Sequence, residues 1–339
     1  MNRPTILILA QAQDTTADRI AAALGRRAVT VARVDTAEFP TAVRLQARPD
    51  QSPGPDWIEA GGNRIDLASV QSVYRRHPAQ FRFPAAMSGP ERRFAMLESV
   101  AGWGGVLSSQ PWRWLDSPAA VADAGYKPRQ IRVAAECGLR VPRSVVTNAG
   151  DHVRAFAAEV AGPIVYKSLS TGLVAEGDAL KIVYTSRVDL DDLDDNALGL
   201  CAHLFQEWVP KAHDVRVTAV GERLFPVAVH AGSEQARIDW RSRYDDLRYQ
   251  RCEIPDDVRA GISAYLQRFR LRFAAFDFSA TPDGRWWFLE ANPSGQWEWI
   301  EDETGAPITE AIADELVSDD PTRDTQTNPA GDDVVVGTA

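Results

Sequence analysis

The stretch Arg285–Trp297, RWWFLEANPSGQW, carries a glutamate and an asparagine at the end of a strongly apolar run. Its aromatic and aliphatic residues favour a β-strand. Because side chains alternate along a strand with period two, Glu290 and Asn292 should lie on one face. Carboxylate and amide oxygens at positions i and i+2 are suitable ligands for Mg²⁺ or Mn²⁺. The stretch therefore predicts a strand that ends in a metal site.

The preceding apolar run, RFAAFDFSA, is predicted to pair with this strand as an antiparallel hairpin, and it adds Asp277. A two-residue turn would place Asp277 opposite Glu290, and a four-residue loop would place it opposite Phe288. Both registers leave Asp277, Glu290 and Asn292 on one face. The alternative interpretation is a solvated polar face. Both strands are otherwise apolar, however, so two acids there would be half-buried and would need partners.

The composition is that of a globular protein. The 339 residues are 45% hydrophobic and 25% charged, and no apolar run is long enough for a membrane-spanning helix. Residues 301–339 carry eleven acidic residues and one arginine of a chain whose net charge is −10, so the rest is balanced, with 36 acids and 36 bases. A balanced body argues against a broad nucleic-acid-binding face and leaves only a local basic groove open. We expect a cytoplasmic protein with neither nucleic-acid nor membrane partners.

The three cysteines lie far apart in the sequence and form no CxxC pair, so neither a disulfide framework nor a zinc site is indicated. We expect them to be buried thiols. The five histidines are scattered, and the sequence offers no Cys–His or Ser–His pair that indicates a covalent enzyme intermediate.

The N-terminal part begins with the runs TILILA, DTTADRIAAALGRR and AVTVARVDT. They alternate strand, helix and strand, which predicts an α/β layer with a parallel sheet. The first turn lacks a GxGxxG motif, so a dinucleotide-binding fold is the weaker interpretation. A hairpin turning at residues 61–63, a strand ending at Arg76 and a helix over residues 89–107 are predicted next. SSQPWRWLDSP indicates a domain boundary.

The following part mixes helices and strands. A helical pattern from Pro118 is broken near Gly125 and again at Pro128, and it ends at Gly138. A compact α+β unit follows, with a Gly-containing loop, TGLVAEGDA, before one strand, LKIVYTSRV. After the strand LFQEWV and two paired strands comes a polar stretch at residues 233–252. The final residues are polar and aperiodic, which predicts a disordered tail.

Several basic side chains are candidates for phosphate contacts. Lys127 follows a helix break, and Lys167 precedes a flexible Ser/Thr/Gly loop, where an ammonium group acts as a point charge. The backbone of LFQEWV could hydrogen-bond an adenine edge. Arg216 shares a strand face with Asp214 and could hold a phosphate or carboxylate through two hydrogen bonds. Taken singly, each residue is also compatible with an ordinary solvated charge.

The order of these elements resembles the ATP-grasp superfamily: a lysine, a lysine before a Gly loop, QEWV, DVRV, then Asp277 and EAN. The likeness covers nearly the whole chain. More narrowly, VYRRHP, DWRSRYDDL and the segment from WRWLDSP to RSVVT are similar to the actinobacterial ATP-grasp peptide maturases, relatives of the microviridin ligases that make graspetides. Ribosomal-protein glutamate ligases share the QE, D-x-R and E-x-N elements.

The resemblance implies a mixed α/β and α+β architecture, an ATP-grasp fold with a Rossmann-like pre-ATP-grasp domain and two α+β domains that clamp ATP. The implied divisions are an N-terminal domain at 1–117, a central subdomain at 118–205, a C-terminal subdomain with the metal site at 206–317 and a disordered acidic tail at 318–339.

The resemblance also implies roles for individual residues. Arg216, and more weakly Arg241, would hold the acyl phosphate or its parent carboxylate. Asp277, Glu290 and Asn292 would bind Mg²⁺, with two ions expected. The residues implied to contact ATP are Lys127, Lys167, Glu207, Trp208, Val209, Lys211 and Asp214.

The implied activity is an ATP-dependent carboxylate ligase. It would activate Asp or Glu side chains of a ribosomal precursor peptide, with leader and core segments, and join them to Ser or Thr hydroxyls or to Lys amines. Esters are favoured for the actinobacterial branch. Two alternatives remain open: a ligase that adds free amino acids to a protein or small acid, and a non-catalytic, nucleotide-gated peptide binder. Arg75 and Arg76 could attract a leader's acids or be structural ion pairs. A homodimer is expected by analogy.

Overall fold

The structure is a computed structural model that describes residues 4–170, 172–176 and 179–318. Within these ranges the chain forms two compact units. The first contains residues 4–14, 24–117 and 316–318, and the second contains residues 15–23 and 118–315. The four-part division of the chain is finer than this and stays a prediction. The predicted tail lies outside the described residues from position 319 onward.

The first unit is built on a four-stranded parallel sheet with the order β2-β1-β6-β7, beside a three-stranded antiparallel sheet, β3-β4-β5. The strands are β1 (Thr5–Ala10), β2 (Thr30–Val34), β3 (Arg44–Gln46), β4 (Trp57–Ala60), β5 (Asn63–Asp66), β6 (Val70–Arg76) and β7 (Arg113–Leu115). The helices are α1 (Thr15–Gly25), which spans residues of both units, and α2 (Gly89–Ser108). The predicted strand–helix–strand start and parallel sheet are confirmed.

Local signals explain two of these elements. Gly61 and Gly62 have φ values of +56° and +78° and connect β4 to β5. Two consecutive positive φ values are what a tight two-residue hairpin turn requires. Ser88 and Glu91 form a reciprocal capping box at the start of α2, which pairs backbone N–H groups that a helix N-terminus otherwise leaves open.

In the second unit, residues 15–23 of α1 are joined by α3 (Pro118–Ala124) and α4 (Lys127–Glu136). The predicted break near Gly125 is confirmed. The second predicted break, at Pro128, is wrong, because Pro128 lies in the first turn of α4. Proline is tolerated there, since the first N–H groups of a helix have no intrahelical acceptor.

An antiparallel sheet with the order β12-β9-β13-β8 follows. Its elements, with the hairpin β10–β11 and two helices, are β8 (Ser144–Thr147), α5 (Gly150–Val160), β9 (Ile164–Lys167), β10 (Leu173–Glu176), β11 (Ala179–Ile182), β12 (Ser186–Arg187), α6 (Asp195–Leu198) and β13 (His203–Glu207). The predicted loop at 171–179 is wrong for residues 173–176, which pair with β11; residues 171, 177 and 178 lie outside the description. The single strand predicted at 180–188 is also wrong, because residues 183–185 divide it.

The largest sheet is antiparallel and has the order β16-β15-β14-β17-β18. The elements of this part are β14 (His213–Val220), β15 (Arg223–Ala231), α7 (Glu234–Ile238), β16 (Leu247–Arg251), α8 (Asp256–Phe269), β17 (Phe273–Ala280), β18 (Trp286–Asn292), α9 (Glu298–Thr304) and α10 (Ile308–Val317). The polar stretch at 233–252 thus contains α7, two 3₁₀ turns and β16.

Strand alternation gives this sheet two different faces. Val215 and Val217 of β14 and Phe276 and Phe278 of β17 pack in one apolar core with α8. The residues between them point to the opposite face, as period two requires. They are polar yet buried: Asp214, Arg216, Thr218, Asp277 and Ser279. Groups of this kind need partners when they are removed from water.

A β-bulge at Leu289 interrupts the hairpin β17–β18. Phe278 pairs with Phe288, whereas the next pair is Asp277 with Glu290. Phe288 and Ala291 both enter the apolar core, so Glu290 faces the other side. Neither predicted register holds along the whole hairpin, although the predicted pairing of Asp277 with Glu290 is confirmed. An extra residue that re-aims a side chain is a common use of a bulge near a functional site.

The expectation that the cysteines are buried thiols is wrong. Cys201 is exposed, and Cys137 and Cys252 are only partly buried. The Cys201 Sγ lies 3.5 Å from the His203 Nε2 at the start of β13, and only Ala202 separates the two residues. No helix in the described ranges has both the length and the apolar character needed to cross a membrane.

Candidate active site

A cleft that is partly open to solvent lies in the second unit. Nine of the twelve residues predicted for the site line it: Lys167, Glu207, Trp208, Val209, Lys211, Asp214, Arg241, Asp277 and Glu290. Of the other three, Lys127 and Arg216 contact lining residues, and Asn292 lies two positions beyond Glu290 on β18.

The carboxylates of Asp277 and Glu290 are directly cross-strand and are surrounded by cations. Arg216 Nη1 lies 2.8 Å from Asp277 Oδ2. Lys127 Nζ is 3.2 Å from one oxygen of Glu290, and Arg241 Nη1 is 3.4 Å from the other. The second oxygen of Asp277, Oδ1, is buried without a hydrogen-bond partner in the described part of the chain. The carboxylate pair therefore keeps one acceptor for a ligand.

The surroundings shift the pKa values of these two acids in opposite directions. Burial raises the pKa of Asp277, and the neighbouring Arg216 opposes that rise. Burial alone would also raise the pKa of Glu290, but Lys127, Arg241 and Lys167 together outweigh it and lower this pKa to about 2. Glu290 is therefore ionised at neutral pH.

Asn292 differs from the other two predicted metal ligands. It is exposed, and its Oδ1 accepts a hydrogen bond from Ser294 N at 3.1 Å. The described residues contain no group of three His, Cys, Asp or Glu side chains placed to hold a metal ion. A metal held here would thus rest on two carboxylates with an amide or solvent oxygens, as Mg²⁺ allows.

The two predicted lysines converge on the cleft from different elements. Lys127, at the start of α4, donates to Ser168 O at 2.7 Å in addition to its ion pair with Glu290. Lys167, at the end of β9, donates to Gln206 Oε1 at 3.1 Å. Burial lowers the pKa of Lys167 to about 8, against the opposing effect of Glu290.

Lys211 and Asp214, which both line the cleft, form a further ion pair. Lys211 Nζ contacts both oxygens of Asp214 at 2.8 and 2.7 Å, and Ser279 Oγ donates to Asp214 at 3.3 Å. Burial raises the pKa of Asp214 to about 6 although Lys211 opposes this. Lys211 Nζ also lies 5.6 Å from the ring centre of Trp208, within range of a cation–π interaction.

Comparisons with known proteins show the family of this chain. The profile of the MvdD pre-ATP-grasp domain matches residues 5–122. The structure of macrocyclase MdnB from Microcystis aeruginosa MRC is 32% identical, with 93% of this chain and 99% of that chain covered and a TM-score of 0.78. This chain belongs to the ATP-grasp macrocyclase family.

Other solved structures support this family assignment. Macrocyclase MdnC, from the same Microcystis strain and bound with precursor peptide MdnA, is 29% identical, with 92% and 99% of the two chains covered and a TM-score of 0.82. A RiPP-associated ATP-grasp ligase from Chryseobacterium gregarium has a TM-score of 0.88 at 23% identity over 97% and 100% of the chains, which shows the fold. No curated protein matches significantly. The predicted ATP-grasp fold and ATP-dependent ligase activity are confirmed.

Sequence reasoning missed several residues of this ATP-grasp ligase that hold its site together. Gln206, 1% exposed, contacts Lys167 and donates to Ser144 Oγ at 3.0 Å. Gln130 of α4 exchanges hydrogen bonds with the backbone of Ala291, next to Glu290. The signal for Gln206 was present, since it precedes Glu207 inside an otherwise apolar strand. Nothing local marks Gln130, because its partner lies 161 residues away.

Proposed function

We propose that this ligase activates carboxylate side chains of a ribosomally made precursor peptide and closes macrocycles with them. One observation carries the proposal: the buried Asp277 and the half-buried Glu290 lie among Lys127, Arg216 and Arg241 in a chain that covers 99% of a macrocyclase at 32% identity. Such a cluster is suited to a polyanionic nucleotide and to a second carboxylate.

ATP is the proposed nucleotide. Lys127 and Lys167 would contact its phosphates. The segment Glu207–Val209 would bind the adenine, and its position is fixed because Glu207 N and Trp208 N donate to Arg143 O and Pro163 O. Lys211 and Asp214 would lie near the ribose and phosphates.

Magnesium is the proposed metal, and two ions are proposed. Asp277, Glu290 and Asn292 would hold them, and the unpartnered Asp277 Oδ1 supports this assignment. Bound there, Mg²⁺ would neutralise charge on the β- and γ-phosphates. The protein's own part is to keep Glu290 ionised beside the cleft, which Lys127 and Arg241 favour.

The proposed reaction has two steps. An Asp or Glu carboxylate of the peptide attacks the γ-phosphate, which forms an acyl phosphate and releases ADP. A Ser or Thr hydroxyl, or a Lys amine, then attacks the acyl carbon, and phosphate and a proton leave. Arg216 and Arg241 would hold the carboxylate and the acyl phosphate. Catalysis would rest on positioning and charge stabilisation. Cys201 and His203 do not line the cleft.

The proposed partner is a precursor peptide with leader and core segments. MdnC, a relative 29% identical, has been crystallised with its precursor peptide. Ester bonds, as in the actinobacterial branch, are the proposed product, and we propose that the enzyme acts as a homodimer. The division into domains 1–117, 118–205 and 206–317 is proposed as well, because it would place the lysines and the carboxylates on different ATP-grasp subdomains.

The decisive experiment is the intact mass of a precursor encoded beside this gene after incubation with the protein, ATP and Mg²⁺. We expect the loss of one water per bond formed, and methanolysis to open esters but not amides. Glu290→Gln should abolish the change, whereas Glu159→Gln, at an exposed ion pair with Arg143, should not. ADP release that requires free amino acids, with no change in peptide mass, would instead support an amino-acid ligase.

A further inference from the structure

The carboxylate of Asp239 makes four hydrogen bonds at the edge of the cleft. Its Oδ1 accepts from Arg241 N at 3.1 Å and from Arg241 Nε at 2.9 Å. Its Oδ2 accepts from Arg241 Nη2 at 2.8 Å and from Thr185 N at 3.0 Å. Asp239 is 5% exposed. A buried carboxylate that uses both oxygens in this way fixes the plane of the guanidinium group it faces.

Hydrogen bonds and aromatic packing fix the position of the segment that carries Asp239. Asp239 caps the 3₁₀ turn Trp240–Ser242, and Ser242 Oγ donates to its carbonyl oxygen at 2.7 Å. Trp240 is buried, with ring centres 5.5 Å from Trp299 and 5.8 Å from Tyr244. The carboxylate therefore has little freedom to follow Arg241, and Arg241 instead takes its position from Asp239.

In this arrangement the Arg241 side chain remains accessible to a ligand. Its side chain is 39% exposed, and Nη1 lies 3.4 Å from Glu290 Oε1. A guanidinium group has five N–H donors, and the side-chain contacts to Asp239 and Glu290 use three of them. Holding a long flexible side chain in one rotamer before the ligand arrives removes part of the entropy cost of binding.

The fourth hydrogen bond reaches a different part of the unit. Thr185 ends the connection at 183–185, which leads from the hairpin β10–β11 into β12 of the sheet β12-β9-β13-β8. The same carboxylate thus anchors Arg241 and the base of this hairpin. Asp239 and Thr185 both line the cleft.

We propose that Asp239 is a positioning residue: it aligns Arg241 beside Glu290 for the peptide carboxylate, and it ties the exit of the hairpin β10–β11 to that arginine. This proposal rests on the function proposed above. Asp239 itself touches no substrate, so it acts only through Arg241 and Thr185.

A double-mutant cycle with Asp239→Asn and Arg241→Gln tests the proposal. Asparagine is nearly isosteric but replaces one acceptor oxygen with a donor that opposes Arg241. We expect Asp239→Asn to lower kcat about 10-fold to 100-fold, by analogy with partners that orient metal-ligating side chains, with KM for ATP unchanged. The double variant should be no slower than Arg241→Gln alone. Losses that multiply, or full activity of Asp239→Asn, would overturn the proposal.

Asp283→Asn is the matched control. Asp283 and Arg285 have the same i, i+2 spacing and a similar ion pair, but both side chains are more than half exposed. This variant should keep wild-type kcat. If Asp239→Asn does not fold, Asp239→Glu, which keeps the charge but moves it, takes its place, and its loss should likewise disappear in the Arg241→Gln background.

Measurements on the wild-type protein distinguish failure of this proposal from failure of the proposed function. If the protein releases ADP without changing the peptide mass, the assigned substrate is wrong, and the cycle is then measured on ADP release. A non-additive cycle would still support Asp239 as the residue that positions Arg241, and an additive one would refute it.

Discussion

The fold changes the proton affinity of Lys167. Its ammonium group is buried beside Gln206, and burial lowers its pKa to about 8. A nucleotide phosphate placed next to it would favour the charged form and raise that pKa again. By linkage, affinity for an anion is then full below the pKa of the free protein and falls as the pH rises through it.

We therefore expect the Kd for ADP, measured by calorimetry with Mg²⁺, to increase above about pH 8, by at most about tenfold per pH unit. In Lys167→Gln the Kd should be higher and nearly constant over the same range. Lys181→Gln, at an exposed lysine of β11, should behave as the wild type. An unchanged pH dependence in Lys167→Gln would assign the titration to another group.

At the residue scale, the sequence pointed to Asp277 and Glu290 because acids inside apolar strands are unusual and period two relates their faces. It also drew attention to Arg241 in DWR, yet not to Asp239 in the same motif. The reason is that Asp239 is an ordinary turn residue by local criteria. Its special character comes from Thr185, 54 residues away.

At the scale of elements, the hairpin β17–β18 and the loop after it determine where Arg216 lies. Gly295 follows β18, and a Cβ atom there would lie 2.5 Å from Ala275 Cβ and 2.9 Å from Arg216 Nη2. Arg216 Nη2 also donates to Gln296 O at 3.1 Å. The PSG segment thus brings the backbone close to the arginine, and only glycine leaves room for it.

We expect Gly295→Ala to destabilise the protein by about 1 to 3 kcal/mol, as overpacking usually does, and to reduce turnover by displacing Arg216. Urea unfolding and ADP release would measure the two effects. Gly104→Ala is the contrasting control, because Gly104 lies in α2 with no atom within 4 Å of an added Cβ. It should stabilise by up to about 1 kcal/mol. Wild-type stability and turnover in Gly295→Ala would contradict this account.

At the scale of the whole molecule, the C-terminal residues divide into a packed helix and a polar remainder. Helix α10 buries five apolar side chains: Ile308, Ala311, Ile312, Ala313 and Leu316. Leu316 O also accepts a hydrogen bond from Ser72 Oγ at 2.7 Å. Beyond Ser318 the sequence has five aspartates, one arginine and few apolar residues.

Truncation after Ser318 should change the melting temperature by less than about 2 °C, since it removes little apolar surface. The net charge would change from −10 to −6. Truncation after Pro307 should instead cost several kcal/mol, because each buried isoleucine or leucine contributes about 1.5 to 3 kcal/mol. Calorimetry of both proteins would test this. A large drop in melting temperature for the protein that ends at Ser318 would show that the polar segment contributes to folding.

The residue pattern alone predicts the main strands of the largest sheet and the two faces of β14 and β17. Apolar alternation along β14 and β17 specifies which side enters the core, since neighbouring side chains always point to opposite faces of a strand. The order of lysines, QEWV, DVRV and EAN was enough to indicate the family, because each element keeps its place along the chain.

The tertiary structure alone decided how these elements meet. A strict alternation from Phe288 would send Glu290 into the core, and the bulge at Leu289 prevents this because Phe288 and Ala291 both pack there. The contacts of Lys127 with Glu290 and of Asp239 with Thr185 join residues 163 and 54 positions apart. Such contacts depend on how distant segments pack, and no local pattern of residues encodes them.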